Sequence, residues 1–312
     1  MAVKTPVRWR RWLLLLLSVG LVAACLAVEL GSRFPGLGIP SWERIYSSLG
    51  LTPASAEGVL EVHFLDVGNA DCILLRQGAH AALIDGGEPG DGEEIVEYLR
   101  RYGVDKLDFL LATHGHADPV GGLAQVVEAV PTGRLLVGDV PPAEEMEPAY
   151  AVLLAAAETC GVPIETVQTN AVYTVGVAQL QVAAFMPEAK EENDRSVVTR
   201  LTYGQRAFLF MGDAGTAVES ALLQRGIPLQ ADVLKIGHHG GKTSSSMPFL
   251  RRVAPAYGVI PCGEDNLHGH PSVDVLRRLQ ELEVTCLRND VSGDIVFTTD
   301  GKSLLVETVV PD

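Results

Sequence analysis

The sequence predicts an α+β fold in which two sheets pack face to face with helices outside. Three observations point there. Short apolar stretches separated by Gly-containing turns open the first half, strands and helices alternate again in the second, and His and Asp residues collect in the loops that follow strands. At 312 residues and 47% hydrophobic content the chain has ample material for a core. Its formal charge of −15 disfavours passive binding along a nucleic-acid backbone, which needs a basic surface or a bound cation.

The amino-terminal region is a separate object. Lys4, Arg8, Arg10 and Arg11 precede an uncharged run from Trp12 to Val28, which suits a secretory signal or a single membrane anchor, and both imply export. The stretch VAAC at 22–25 resembles a bacterial lipobox with Cys25 as the lipidated residue; the alternative is an uncleaved anchor in which Cys25 is a small apolar side chain. The expected organisation is a signal anchor or lipoprotein-type signal over 1–30, a Pro/Gly/Ser/Ala-rich linker over 31–58, one folded domain over 59–308 and a tail at 309–312. The domain is expected on the outer face of a cell membrane, or secreted as a soluble or lipid-anchored protein. Cys72, Cys160, Cys262 and Cys286 form no CxxC pair and lie in or beside apolar segments, so they read as buried thiols.

Within the domain, VLEVHFLDVG, DCILLRQ and HAALIDGG read as a β-meander. Residues 92–104 place Ile95, Val96, Leu99 and Tyr102 at helical spacing, ending at Gly103. LDFLLA (107–112) is a buried strand, THGHADP leaves its carboxyl end, and GGLAQVVEAV begins a helix. In the second half, strands are expected over 179–187, 196–204, 206–213, 231–237 and 256–262, with helices over 214–226, 247–255 and 272–282. Strands over 294–300 and 302–309 close the chain.

Six of the eight histidines fall in three pairs, His114/His116, His238/His239 and His268/His270, each just beyond an apolar run. Asp85, Asp118 and Asp213 lie at or near strand ends as well. Imidazole and carboxylate donors converging from such loops suit a divalent cation. A solvated loop is the plain alternative for His114/His116, a helix N-cap for Asp213, and ordinary loop polarity for His268/His270. His63 and His80 sit in strand-like segments and are expected to be packing or surface residues.

The ordered motifs LDVGNAD, LIDGG, THGHAD, NDRSVV, FMGDAG, LKIGHHGG and NLHGHP resemble the metallo-β-lactamase fold family, in particular the ComEC-like branch found at the carboxyl terminus of DNA-uptake proteins and in stand-alone exported relatives. The resemblance spans about residues 59–308 and implies an αββα sandwich with a metal-dependent hydrolytic site at one edge of the sheets. It implies that His114 and His116 hold one cation, that Asp118 and one of His238/His239 hold a second, His239 by position, and that Asp213 bridges. It makes Asp85 the aspartate that orients the HxHxD loop by hydrogen bonds. Asp66 and Asp71 are either braces of that loop or Asx-turn residues around Gly68.

Two departures from the family pattern matter. Pro119 stands where a histidine usually follows the aspartate, and no histidine lies between His116 and His238 to complete the first site, where Asn193 and Ser196 occupy the corresponding stretch. These departures argue against β-lactam hydrolysis and towards an oxygen-rich site for one or two cations, zinc or manganese. No nucleotide cofactor is implied.

A cation held there would activate water for attack on phosphorus or a carbonyl. Asp118 is the candidate proton acceptor, and His238, His270 or Lys242 the groups that stabilise developing charge on a phosphate. GGKTSSS (240–246) offers amides and hydroxyls for a phosphoester oxygen, or is a plain linker. The expected function is a membrane-tethered phosphodiesterase acting on nucleic acid, DNA included, or on a cell-envelope phosphoester. The alternative is a non-catalytic binding or envelope-assembly protein on a degenerate hydrolase scaffold, suggested by Pro119. Without a multispanning channel segment in these residues, the chain is not expected to be a DNA translocator itself, and the sequence sets no oligomeric state.

Overall fold

The computed structural model describes residues 58–309 apart from 265 and 267, together with isolated positions 18, 20, 22, 26 and 28. Apart from those positions, the expected anchor, the lipobox, the linker and the end of the tail lie outside the described residues. Among the described residues no helix is long and apolar enough to cross a membrane.

The first sheet starts as an antiparallel meander, β1 (Leu60–Phe64), β2 (Ile73–Gln77) and β3 (His80–Ile84), then continues in parallel through β4 (Phe109–Ala112), β5 (Leu135–Val137) and β6 (Ile164–Thr166). Helices α1 (Gly92–Arg101), α2 (Ala117–Val120), α3 (Leu123–Ala129) and α4 (Pro148–Thr159) lie between these parallel strands in sequence. The second sheet repeats the plan: β7 (Val172–Val175), β8 (Ala178–Ala184), β9 (Val198–Tyr203) and β10 (Arg206–Phe210) are antiparallel, and β11 (Val233–Lys235), β12 (Tyr257–Ile260) and β13 (Thr285–Arg288) are parallel. Here α5 (Thr216–Arg225), α6 (Met247–Val253) and α7 (Val273–Glu281) are the crossovers. After a short turn of helix, α8 (Asn289–Ser292), the strands β14 (Asp294–Thr299) and β15 (Leu304–Val309) return to the first sheet beside β1.

Strand alternation explains the layers. Phe208 and Phe210 on β10 join Phe64, Leu111 and Phe297 from the first sheet in one inter-sheet core, with Phe64 and Phe297 ring centroids 6.0 Å apart. Leu209 between them faces the other way, into a second core with Val218 and Leu222 of α5, Phe249 and Leu250 of α6, and Leu279 of α7. The result is an α+β sandwich, as the sequence predicts.

Several local expectations are corrected. Helix α1 ends at Arg101, and Tyr98, not Tyr102, completes its buried face with Ile95, Val96 and Leu99. Cys160 is exposed because it caps the carboxyl end of α4, whereas Cys72 and Cys262 are buried and all four thiols are free. The stretch from β5 through β7, with α4, is structure for which the sequence reading has no assignment. His63 is buried against the Tyr98 hydroxyl, 3.0 Å from its Nδ1, while His80 is on the surface facing Asp108.

Candidate metal centre

The candidate ligands and Asp85 leave the carboxyl ends of strands that have at least one parallel neighbour. Asp85 follows β3, the His114 loop follows β4, Asp213 follows β10 and His239 follows β11. The two sheets bring these ends to one edge, where loops rather than regular structure supply the polar groups.

The first two loops are locked together. The Gly86 amide donates to the Pro119 carbonyl at 2.7 Å, and the Gly121 and Gly122 amides donate to Gly87 and Gly86 at 2.9 Å. This approach needs glycine: a Cβ on Gly121 would lie 2.1 Å from the Pro89 nitrogen. Pro119 therefore works through its carbonyl, as a brace within the short turn α2.

Asp85 accepts the backbone N–H of Thr113 at 2.8 Å and its hydroxyl at 2.9 Å. With that hydroxyl proton committed, Thr113 Oγ1 accepts from His114 Nδ1 at 3.1 Å, which leaves the Nε2 lone pair of His114 to face the cluster. His239 is set in the same way, its Nδ1 donating to the Pro261 carbonyl at 2.9 Å. Its backbone φ of 48°, with 50° at His238, is the left-handed conformation that turns consecutive imidazoles apart. Ser196, buried, accepts the Asp213 amide at 3.0 Å and lies 3.4 Å from His114 Nδ1.

His114, His116 and Asp118 present donor atoms within 4.8 Å of one another, and so do Asp118, Asp213 and His239. His114 Nε2, His239 Nε2 and Asp213 Oδ1 are buried without a hydrogen-bond partner. His239 Nε2 lies 3.4 Å from Asp213 Oδ1 and 3.5 Å from Asp118 Oδ2, ion-pair distances beyond a good hydrogen bond, and the two groups that share Asp118 fit a divalent cation, for which imidazole and carboxylate are the right donors. Burial would raise the Asp213 carboxyl, but His239, Lys235 and His114 hold it below the ordinary range, ionised as a ligand must be. Burial lowers His114, keeping its imidazole neutral. Against burial, Asp213 and Asp118 raise His239 to about 9.

The cluster floors a cleft of about 500 Å³, whose walls include Asn69, Glu88, Asn193, His238, Asn266, His268 and His270. His116, Asp118, Asp213 and His239 line it from below. His238 packs edge-on against His270, ring centroids 5.0 Å apart, with Asn193 Nδ2 3.3 Å from its Nε2. Burial and the neighbouring rings of His238, His239 and His268 push His270 down to about 4.

Two expectations fail. Lys242 is exposed and does not line the cleft. The serines after it turn inward: Ser244 Oγ donates to the carbonyls of Gly237 and Gly241, and the amides of Ser245 and Ser246 donate to the buried Glu219. Arg278 closes the other side, donating to the carbonyls of Ser244 and Ser245 at 2.9 and 2.7 Å. Ser244 and Ser245 thus clamp the His238–His239 turn and turn away from a substrate, whereas the exposed Thr243 hydroxyl lies 3.3 Å from His238 Nδ1.

Asp66 caps its own turn, accepting the Gly68 amide at 3.4 Å. Asp71 instead reaches beneath the cluster to Lys235, a residue the sequence reading overlooked. The signal was present: one ammonium in the middle of the apolar run ADVLKIG, directly before HHGG.

The sequence model of a family described as "Metallo-beta-lactamase superfamily" matches residues 65–264. Among curated proteins the chain is 29% identical over 264 residues to "ComE operon protein 3" of Bacillus subtilis (strain 168), covering 78% of this chain and 33% of that protein. It is 30% identical over 268 residues to "Competence protein ComA" of Neisseria gonorrhoeae, covering 84% of this chain and 36% of that protein. The chain thus spans about a third of the length of these relatives. Among solved structures it is similar to Igni18, a metallo hydrolase from Ignicoccus hospitalis, with a TM-score of 0.49 at 12% identity over 77% of this chain and 98% of that one.

Proposed function

The chain belongs to the metallo-β-lactamase superfamily, whose members are generally metal-dependent hydrolases, and from that premise we propose that it hydrolyses phosphodiesters in the cleft above His114, Asp118, Asp213 and His239. The observation that carries this reading is the pair of three-donor groups that share Asp118, His114–His116–Asp118 and Asp118–Asp213–His239, in which His114 Nε2, His239 Nε2 and Asp213 Oδ1 are buried without a hydrogen-bond partner. A divalent cation bound there supplies Lewis acidity, which acidifies water and polarises a phosphoryl oxygen. His114, His116, Asp118, Asp213 and His239 are the residues that hold it.

The remaining chemistry belongs to the side chains around it. Burial opposes ionisation of Asp118, but the His239 imidazole, with Nε2 3.5 Å from Oδ2, keeps the carboxyl below the ordinary range, so at neutral pH it is a carboxylate at the cleft surface able to accept a proton from water. His238 and His270 are neutral imidazoles at pH 7, lowered first of all by burial, and offer an N–H to a phosphate oxygen instead of a charge. No Lys or Arg lines the cleft among the described residues. The positive charge that a diester phosphate needs therefore falls to the cation. The stretch in which the resemblance would place a third imidazole carries Asn193 and Ser196 instead, which speaks against a β-lactamase and leaves the cation to manganese or zinc.

The similarity to competence proteins supports DNA as substrate; a cell-envelope phosphoester is the other member of the same chemical class. The basic residues before the apolar run at 12–28 support a domain tethered at the outer face of a membrane. Initial rates with Mn2+ or Zn2+ against bis(p-nitrophenyl) phosphate, p-nitrophenyl phosphate, a chromogenic β-lactam and a single-stranded oligonucleotide test the reading. Diester cleavage well above monoester and lactam cleavage supports it. A folded, metal-loaded protein that turns over none of the four would instead indicate a binding protein on a hydrolase scaffold.

A further inference from the structure

Lys235 is fully buried at the carboxyl end of β11, with two acceptors for its ammonium and a second carboxylate near it. It contacts Asp71 Oδ2, donates to the Gly212 carbonyl at 2.6 Å, and lies 3.6 Å from Asp213 Oδ1. Its ion pairs with two carboxylates, Asp71 and Asp213, are those of an ammonium. A fixed positive charge thus sits within reach of the one carboxylate oxygen that a second cation would have to share.

We propose that Lys235 stands in for a second metal ion: its ammonium supplies the positive charge on the Asp213 side of the cluster, so the centre holds one tightly bound divalent cation, on the His114–His116–Asp118 side. The proposal rests on the reading that this cluster binds a cation at all. Pro119 cannot account for single occupancy by itself, because Asp118, Asp213 and His239 still form a three-donor group, the number that catalytic zinc sites supply. What distinguishes the two groups is charge. Asp213 belongs to the second and lies beside Lys235, whereas none of His114, His116 and Asp118 pairs with that ammonium among the ion pairs of the described residues. Like charges a few ångströms apart in a buried setting repel strongly, and a dication beside an ammonium is the extreme case.

The test is metal stoichiometry, read by native mass spectrometry and by the Mn2+ paramagnetic resonance spectrum, on the full chain stripped by chelator and titrated. The unaltered chain is expected to bind one Mn2+, with a six-line mononuclear spectrum and a second ion at least about 100-fold weaker. Lys235→Met is expected to tighten the second ion by at least ~10-fold and to introduce a spin-coupled signal. Lys235→Arg, which retains the charge, and Asp71→Asn, which retains the lysine, are expected to stay at one. If Lys235→Met does not fold, the pair Lys235→Met/Asp71→Asn leaves no unpaired Asp71 carboxylate and makes the same measurement. Two ions of similar affinity in the unaltered chain, or one ion in every folded variant, overturns the role of Lys235. No ion in any form overturns the metal-centre reading instead.

Discussion

Asp85 grips Thr113 twice, accepting its amide at 2.8 Å and its hydroxyl at 2.9 Å, and that grip sets the proton on His114. In Asp85→Asn one terminal atom still accepts the Thr113 amide, but the other becomes an NH2 group that donates and no longer accepts the hydroxyl. The Thr113 hydroxyl is then free to donate to His114 Nδ1, moving the ring proton to Nε2, where it blocks the lone pair aimed at the cluster. Cation affinity is expected to fall about 10–100-fold, as for other residues that orient metal-binding imidazoles. Calorimetric titration measures it, and circular dichroism should show an unchanged fold.

Glu219 is the anchor of the turn that carries His238 and His239, accepting the amides of Ser245 and Ser246 from α5. Glu219→Ala strands two buried amides and leaves the Arg278 side of the clamp unopposed. A loss of roughly 2–4 kcal/mol in unfolding free energy is expected, together with weaker cation binding. Denaturant unfolding of the variant, with and without Mn2+, checks both.

Much of this arrangement is legible in the sequence, and the failures have physical reasons. Strands such as β10 show because Phe208, Leu209 and Phe210 are buried on both faces and form a continuous apolar run. By contrast β5 and β6 are three residues each, too short for any period, and α4 (PAYAVLLAAAET) is apolar nearly all round. The motif residues of the site are legible because each lies in a loop at a strand end. The inward turn of Ser244 and Ser245 is not, because their partners Glu219 and Arg278 are 26 or more residues away on different helices. Lys235 shows as an anomaly, but its partner Asp71 comes from the other sheet's first hairpin, and pairing across that distance leaves no local trace.

Pro119→His restores an imidazole where the family pattern has one and keeps the carbonyl that receives the Gly86 amide. The donor count of the Asp213 side rises, but the Lys235 ammonium remains. The second cation is expected to bind more tightly than in the unaltered chain and less tightly than in Lys235→Met. Equilibrium dialysis of the three proteins side by side ranks them.

His63 is buried beneath α1, and burial lowers its pKa below the ordinary value of 6.5. The unfolded chain therefore binds a proton there that the folded chain resists. This contribution to stability is intact above pH ~6.5 and is lost progressively below it. His63→Gln should flatten that part of the profile, seen as a smaller drop in melting temperature between pH 7 and 5 at fixed metal concentration. An unchanged drop would mean that other groups carry the acid sensitivity.

The most direct test of the metal centre is the melting temperature of chelator-stripped protein as Mn2+ or Zn2+ is added. A cation that binds only the folded state adds about 2.7 kcal/mol of stability at a hundred times its dissociation constant. A concentration-dependent rise in the unaltered chain, absent in His114→Ala and Asp118→Ala, is the predicted result. A melting temperature indifferent to either metal, or one that rises equally in those two variants, would contradict the assignment of His114, His116 and Asp118 to a cation.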